Sequence, residues 1–119
     1  MDDGRPIFVQ IAEQIENAIV DGSLAEEAQV PSTNDLAAFH RINPATAAKG
    51  INELVDDGIL YKKRGIGMFV ALGAQAKLRQ RRRDQFADRY LRPLIVEAQN
   101  LGLSTAEVKA MIDSWEAAR

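Results

Sequence analysis

Lys62, Lys63 and Arg64 stand directly before Gly65-Ile66-Gly67, three cations beside two glycines in six residues. Cations at that density suit phosphate, and glycine lets a backbone approach a ligand closely because it carries no side chain. Upstream, Thr46, Lys49 and Asn52 recur every three residues in a stretch with helical patterning, with Ala45 and Ala48 between them on or near the same outward side. A lysine ammonium can donate to a guanine edge or a phosphate, and asparagine or threonine can bond to base edges. The chemistry on offer is hydrogen bonding and ion pairing with nucleic acid. Bond-making chemistry has no candidates: no set of nucleophile, histidine and carboxylate is suggested, so no catalytic residue is expected. His40 is the one histidine and cysteine is absent, so no metal site and no cofactor are expected either. The Gly65-Ile66-Gly67 pair lacks the strand-to-helix setting of a phosphate loop.

The charge distribution supports the same chemistry. The net charge is −2, which taken whole argues against a polyanion as partner. Divided by position, residues 1–57 hold eleven acids against three bases, whereas residues 58–83 hold eight bases and no acid. Those bases are Lys62, Lys63, Arg64, Lys77, Arg79, Arg81, Arg82 and Arg83, a footprint that phosphate binding needs and the global charge hides. A solvated basic helix face is the competing reading for the bases after the hairpin. Hydrophobic residues make up 46% and charged residues 27% of the 119, the balance of a folded globular chain. The acidic start is unlike a signal peptide, and no apolar run approaches the roughly 18 residues that span a bilayer. A cytoplasmic protein with no membrane partner is expected.

Positioning these residues requires particular elements. Phe8, Ile11, Ala12, Ile15, Ala18 and Ile19 form an amphipathic stripe behind Pro6, predicting a helix over 7–20. Asp21-Gly22-Ser23 stops it, and a short extended piece fits before Pro31. Ser32 with Asp35 approximates a capping box for a short helix over 32–39 that buries Leu36 and Ala37, with Phe39 a further candidate. His40-Arg41-Ile42 turns the chain. Asn43-Pro44 then opens a helix to residue 57, asparagine as cap and proline at the first helical position. Its inner face carries Ala47, Gly50 or Ile51, Leu54 and Val55, and Gly58 ends it. Residues 59–62 and 68–71 read as a hairpin joined by the basic, glycine-bounded tip. This order is that of a winged helix-turn-helix, in which a recognition helix lies beside a wing.

From Gly73 the pattern is helical. Leu78, Phe86, Tyr90, Leu91, Leu94, Ile95, Ala98 and Leu101 follow helical spacing, with Pro93 expected to kink or split the helix. Ser104 and Glu107 form a capping box for a last helix whose stripe is Val108, Met111, Ile112 and Trp115. A tail of about 47 residues is too small to bury such stripes alone. We therefore expect a homodimer, with Phe86, Tyr90, Leu94, Val108, Met111, Ile112 and Trp115 at its interface; a monomer with the tail folded onto the first domain is the rival. The expected fold class is mostly α with a small β-hairpin: a winged helix-turn-helix DNA-binding domain over 1–72, then a two-helix dimerisation tail over 73–119.

The residues up to 72 resemble the DNA-binding domain of GntR-family bacterial transcription regulators. The resemblance lies in an ordered set: Pro6, Gly22-Ser23-Leu24, Pro31-Ser32 with Leu36-Ala37, Thr46, Leu54, Gly58-Ile59-Leu60 and Gly65-Ile66-Gly67-Met68-Phe69-Val70. Asn43-Pro44-Ala45-Thr46, the Tyr61-Lys62-Lys63-Arg64-Gly65 tip, Leu94-Ile95-Val96-Glu97-Ala98 and Leu101-Gly102-Leu103-Ser104 are similar to the YtrA subfamily, whose short tails dimerise. The resemblance implies contacts to double-stranded DNA from Ser32, Thr33, Asn34, Asn43, Ala45, Thr46 and Lys49, and from Lys63, Arg64, Gly65 and Gly67 of the wing. It implies a homodimeric regulator, a repressor, on a pseudopalindromic operator. Three positions depart from the family pattern: Asn34 where arginine is usual, Pro44 where many relatives outside the subfamily have arginine, and Gly50 where alanine is usual. Asparagine lacks arginine's charge and fork of donors, so the wing and basic tail must carry a larger share of the electrostatics. A protein-interaction module that touches no DNA is the alternative. Any small-molecule effector would need a pocket between helices across the dimer or between tail and first domain.

Overall fold

The computed structural model describes residues 4–118. The acidic start at Met1, Asp2 and Asp3, on which the expectation of no signal peptide rests, lies outside the described residues, as does Arg119. The elements in order are α1 (Ile7–Asp21), α2 (Thr33–His40), α3 (Pro44–Asp56), β1 (Leu60–Lys63), β2 (Gly67–Val70), α4 (Ala74–Phe86), a π turn (Ala87–Leu91), α5 (Arg92–Asn100) and α6 (Thr105–Ala117). The fold is thus mostly helical with a two-stranded antiparallel hairpin, a winged helix-turn-helix followed by a helical region. No helix among the described residues is long and apolar enough to cross a membrane.

The chain forms two compact units, one up to Gln80 and one from Arg81. In the first, α1 contributes Ile11, Ala12, Ile15 and Ile19 to the core, and α3 contributes Ile51 and Leu54. Gly50 marks where α3 crosses α1: a Cβ built there would lie 2.8 Å from the Phe8 carbonyl oxygen and 3.4 Å from the Ile11 side chain. The expected cap residues act as caps. Ser32 Oγ accepts from the Asp35 amide at 3.0 Å, and Asn43 Oδ1 accepts from the Ala45 amide at 2.8 Å with Pro44 behind it. Phe39 corrects the expected inner face of α2, since it is 82% exposed while Ala37 is buried. On an eight-residue helix, position 39 points away from the face that Leu36 and Ala37 turn to the core.

The hairpin pairs Leu60 with Val70, Tyr61 with Phe69, Lys62 with Met68 and Lys63 with Gly67. Leu60 and Val70 are buried in the core, while Tyr61 and Phe69 stack on the opposite face with ring centroids 6.0 Å apart. The extended piece before Pro31 lies along β2. Glu27 N donates to Val70 O at 2.8 Å, Val70 N to Ala28 O at 3.0 Å and Val30 N to Met68 O at 2.8 Å.

The first unit also takes in the opening of α4, past the expected limit at residue 72. Ala74 and Leu78 sit in its core cluster, Leu78 only 1% exposed, although helical spacing alone joined Leu78 to the tail stripe. Polar side chains of α4 close the ends of the other helices. Gln75 Nε2 donates to Ile19 O at 3.3 Å and to Val20 O at 3.4 Å, and Arg79 donates to Val20 O through Nε at 3.2 Å and Nη2 at 3.0 Å. Lys77 donates to Asp57 O at the end of α3. In return Glu26 accepts from the Gln75 amide at 3.1 Å, an acid at the start of α4.

The second unit holds the π turn, α5 and α6. Pro93 has no amide to give, and the disturbance falls one turn earlier, where the Arg92 amide bonds five residues back to Ala87 O. The Ser104 and Glu107 capping box forms, with Glu107 N donating to Ser104 Oγ at 3.1 Å and Ser104 N to Glu107 Oε1 at 3.2 Å. Ala98 is buried; Phe86, Tyr90, Leu94, Met111, Ile112 and Trp115 are exposed, Trp115 to 76%.

Candidate nucleic-acid interface

The polar candidates of the first unit sit at two helix starts and on the hairpin. At the start of α2, Ser32 and Asn34 are exposed and Thr33 is half-buried. Ser32 uses an oxygen lone pair on the Asp35 amide, which leaves its O–H to donate outward. At the start of α3, Asn43 and Ala45 are exposed and Thr46 is half-buried. Because Asn43 caps through Oδ1, its two amide hydrogens face away from the helix. Both helix starts also carry partial positive charge from aligned peptide dipoles, which favours phosphate.

Lys49 and Asn52 lie exposed on α3, opposite buried Ala47, Gly50, Ile51 and Leu54. The Lys49 ammonium sits 4.0 Å from the centroid of the Phe8 ring, so this exposed side chain rests against α1. Such a cation–π contact at an exposed site is worth about 0.5–1 kcal/mol, small enough for a phosphate to displace. Arg41 is a cation read from the sequence only as part of the turn and not as a DNA contact. It is exposed in the turn between α2 and α3 with φ 56°; the only available signal was its place two residues before the Asn43 cap.

On the wing, Lys62, Lys63, Arg64 and Gly65 are exposed, and Ile66 is 64% exposed. Gly65 has φ 77° and nothing within 4 Å of a built Cβ, so the tip is a bare left-handed turn closed by Ile66 N donating to Lys63 O at 2.9 Å. Lys63 Nζ lies 4.4 Å from the Phe69 ring centroid and 5.9 Å from that of Tyr61. The Tyr61 hydroxyl donates to the Glu27 carboxylate. That bond, then burial and the carboxylate's charge, holds the phenol above its ordinary value of 10.0, so Tyr61 stays a neutral donor.

These contacts redistribute the basic footprint. Of the eight bases between 58 and 83, Lys77 and Arg79 are spent on backbone carbonyls at the ends of α3 and α1, where a cation also opposes the helix dipole. Arg79, counted in the basic footprint with a solvated helix face as the competing reading, closes α1. Lys62, Lys63 and Arg64 remain as the exposed cationic group of the first unit's hairpin.

The family model for "Bacterial regulatory proteins, gntR family" matches residues 8–70, from α1 to the end of β2 and more than half of the chain. The chain belongs to the GntR family. It is therefore a DNA-binding transcription regulator and not an enzyme. Among characterised GntR relatives, the chain is 27% identical over 107 residues to the HTH-type transcriptional repressor YtrA of Bacillus subtilis, covering 90% of this chain and 82% of that protein. A match running the length of so short a relative places it with the YtrA-type members. In structure it is similar to a putative GntR transcriptional regulator from Bacteroides thetaiotaomicron, with 30% identity, a TM-score of 0.74 and 94% and 97% of the two chains covered. It is also similar to the AraR DNA-binding domain solved with the operator ORX1, at 31% identity, a TM-score of 0.56 and coverage of 60% of this chain and 86% of that one. The GntR match spans both helix starts and the wing, which are the surfaces with exposed donors.

Proposed function

We propose that this GntR-family chain is a homodimeric repressor acting in the cytoplasm on a pseudopalindromic operator. In this reading α3 enters the major groove, where Ala45, Thr46 and Lys49 meet base edges, and Ser32, Thr33, Asn34 and Asn43 hold phosphates. Lys63, Arg64, Gly65 and Gly67 carry the wing onto the flanking backbone. The observation that carries it is the division of labour among the bases: Lys77 and Arg79 of the α4 opening bond to helix ends, whereas Lys62, Lys63 and Arg64 cluster exposed on the wing. Dimerisation is supported by the apolar side chains that α5, α6 and the π turn leave exposed in one chain, Tyr90, Leu94, Met111, Ile112 and Trp115 among them. Apolar area of that extent on a small unit is stabilised when a second copy covers it. Two-fold symmetry then requires two equivalent half-sites, their centres about one helical turn apart or a multiple of it.

The test is fluorescence anisotropy of the purified protein on its own upstream DNA against scrambled DNA, over a range of salt. Sequence-dependent binding that weakens steeply with salt supports the reading. Equal binding to both duplexes, or no loss on altering one half-site, sinks it. Sedimentation of the free protein as a monomer at micromolar concentration removes the dimer.

A further inference from the structure

Gln29 lies outside every element and outside the helix starts and wing tip described above, yet it is built into the wing. Its Nε2 donates to Ile66 O at 3.1 Å, across 37 residues of sequence. Ile66 is the tip residue next to Arg64 and Gly65. A Cβ built on Gly67 would lie 2.7 Å from the same Nε2, so the space beside that glycine is filled by the Gln29 amide. The backbone of residue 29 bridges to Phe69 of β2, and its neighbours Ala28 and Val30 bond to Val70 and Met68. The root of the side chain is thus fixed to one strand while its end holds the turn that follows the other. The carbonyl it holds belongs to a three-residue turn that is also closed by Ile66 N donating to Lys63 O.

We infer that Gln29 is a positioning residue for DNA recognition: it fixes the wing tip in the geometry that presents Arg64 and the Gly65 backbone to phosphate. The inference rests on the proposed role of the wing. Its physical content is a population shift. A tip that has lost the Gln29 bond samples other arrangements, and the apparent affinity scales with the fraction of time spent in the binding-competent one. One net hydrogen bond of ordinary strength changes the ratio of held to unheld tip by roughly threefold to tenfold, which is the largest factor by which affinity can fall. The side chain is exposed, so removing its amide leaves the core intact.

The experiment is a double-mutant cycle on the full chain, using Gln29→Leu and Arg64→Ala. Binding is measured by anisotropy on a labelled duplex selected from a random pool by the unsubstituted protein, with thermal unfolding recorded alongside. Gln29→Leu is expected to weaken binding by up to about threefold to tenfold with little change in unfolding, and to cost less once Arg64 is alanine. Amide exchange at Ile66 and Gly67 should quicken in Gln29→Leu. Gln29→Asn, which keeps the amide but is too short to reach, should behave as Gln29→Leu does. If Arg64→Ala weakens binding but Gln29→Leu does not, or if the two losses multiply independently, positioning by Gln29 is overturned. If Arg64→Ala has no effect, the role of the wing fails first and the inference falls with it.

Discussion

Replacing Gly50 with alanine sets two terms of opposite sign against each other, and the structure decides between them. In an open helix the change is favourable by about 1 kcal/mol, because alanine restricts the unfolded chain and loses nothing in the folded one. At position 50 the added methyl would stand 2.8 Å from the Phe8 carbonyl oxygen and 3.4 Å from Ile11 Cβ and Cγ2. The nearest atom is backbone, so relief requires α1 and α3 to move apart. Overpacking of this kind costs about 1–3 kcal/mol. The expected sum is a net destabilisation of about 1 kcal/mol, or roughly 4–8 °C in Tm for a unit of this size. Urea and thermal unfolding followed by circular dichroism, at one fixed protein concentration, measure it. Asn52→Ala, at an exposed site of the same helix, reports the propensity term without the clash and should be neutral or slightly stabilising. DNA affinity should also fall in Gly50→Ala, because Thr46 and Lys49 move with α3. A Gly50→Ala protein more stable than its parent would refute the close approach of the helices.

Three further outcomes separate structural from DNA-facing roles. Ser32→Ala should lose about 1 kcal/mol of stability together with DNA affinity, whereas Ser32→Asp should keep the cap and still lose affinity, because its carboxylate faces phosphate; unfolding and anisotropy on the same samples check both. Arg79→Ala should lower stability by about 0.5–1.5 kcal/mol through the open end of α1 and leave the salt dependence of DNA binding unchanged, while Arg64→Ala should reduce that slope by about one. The bond to Glu27 raises the folded value of Tyr61 above 10.0, so the unfolded chain releases this proton first; the contribution to stability is full below about pH 10 and fades as pH rises through the folded value. Tyr61→Phe should flatten that alkaline decline in unfolding measurements, and an unchanged decline would remove the bond from the account.

The sequence made local features legible and hid those that depend on partners far along the chain. Asn43-Pro44 at the start of α3 and Ser104 with Glu107 at the start of α6 are signals contained within four residues, and both form as read. Pro93 announced a disturbance but not its form, because a missing amide does not say which neighbouring turn widens. Leu78 followed the same helical spacing as Phe86 and Tyr90, and spacing cannot say which core a stripe faces. Arg79 and Lys77 counted toward a phosphate-binding footprint because their actual acceptors, carbonyls at Val20 and Asp57, carry no mark in a sequence. Gln29 was invisible for the same reason. The exposure of Phe39 shows the limit on short helices, where two turns give too few positions to fix the phase.

The opening of α4 has a consequence for where such a chain can be cut or rejoined. A fragment ending at Leu72 would leave the last carbonyls of α1 and α3 without Gln75, Lys77 and Arg79, and would remove Ala74 and Leu78 from their neighbours. One ending after Gln80 keeps all of them. The piece that can be transplanted whole is therefore longer than the part that faces DNA, and recombination that gives this head a different tail preserves it only at a joint beyond Gln80.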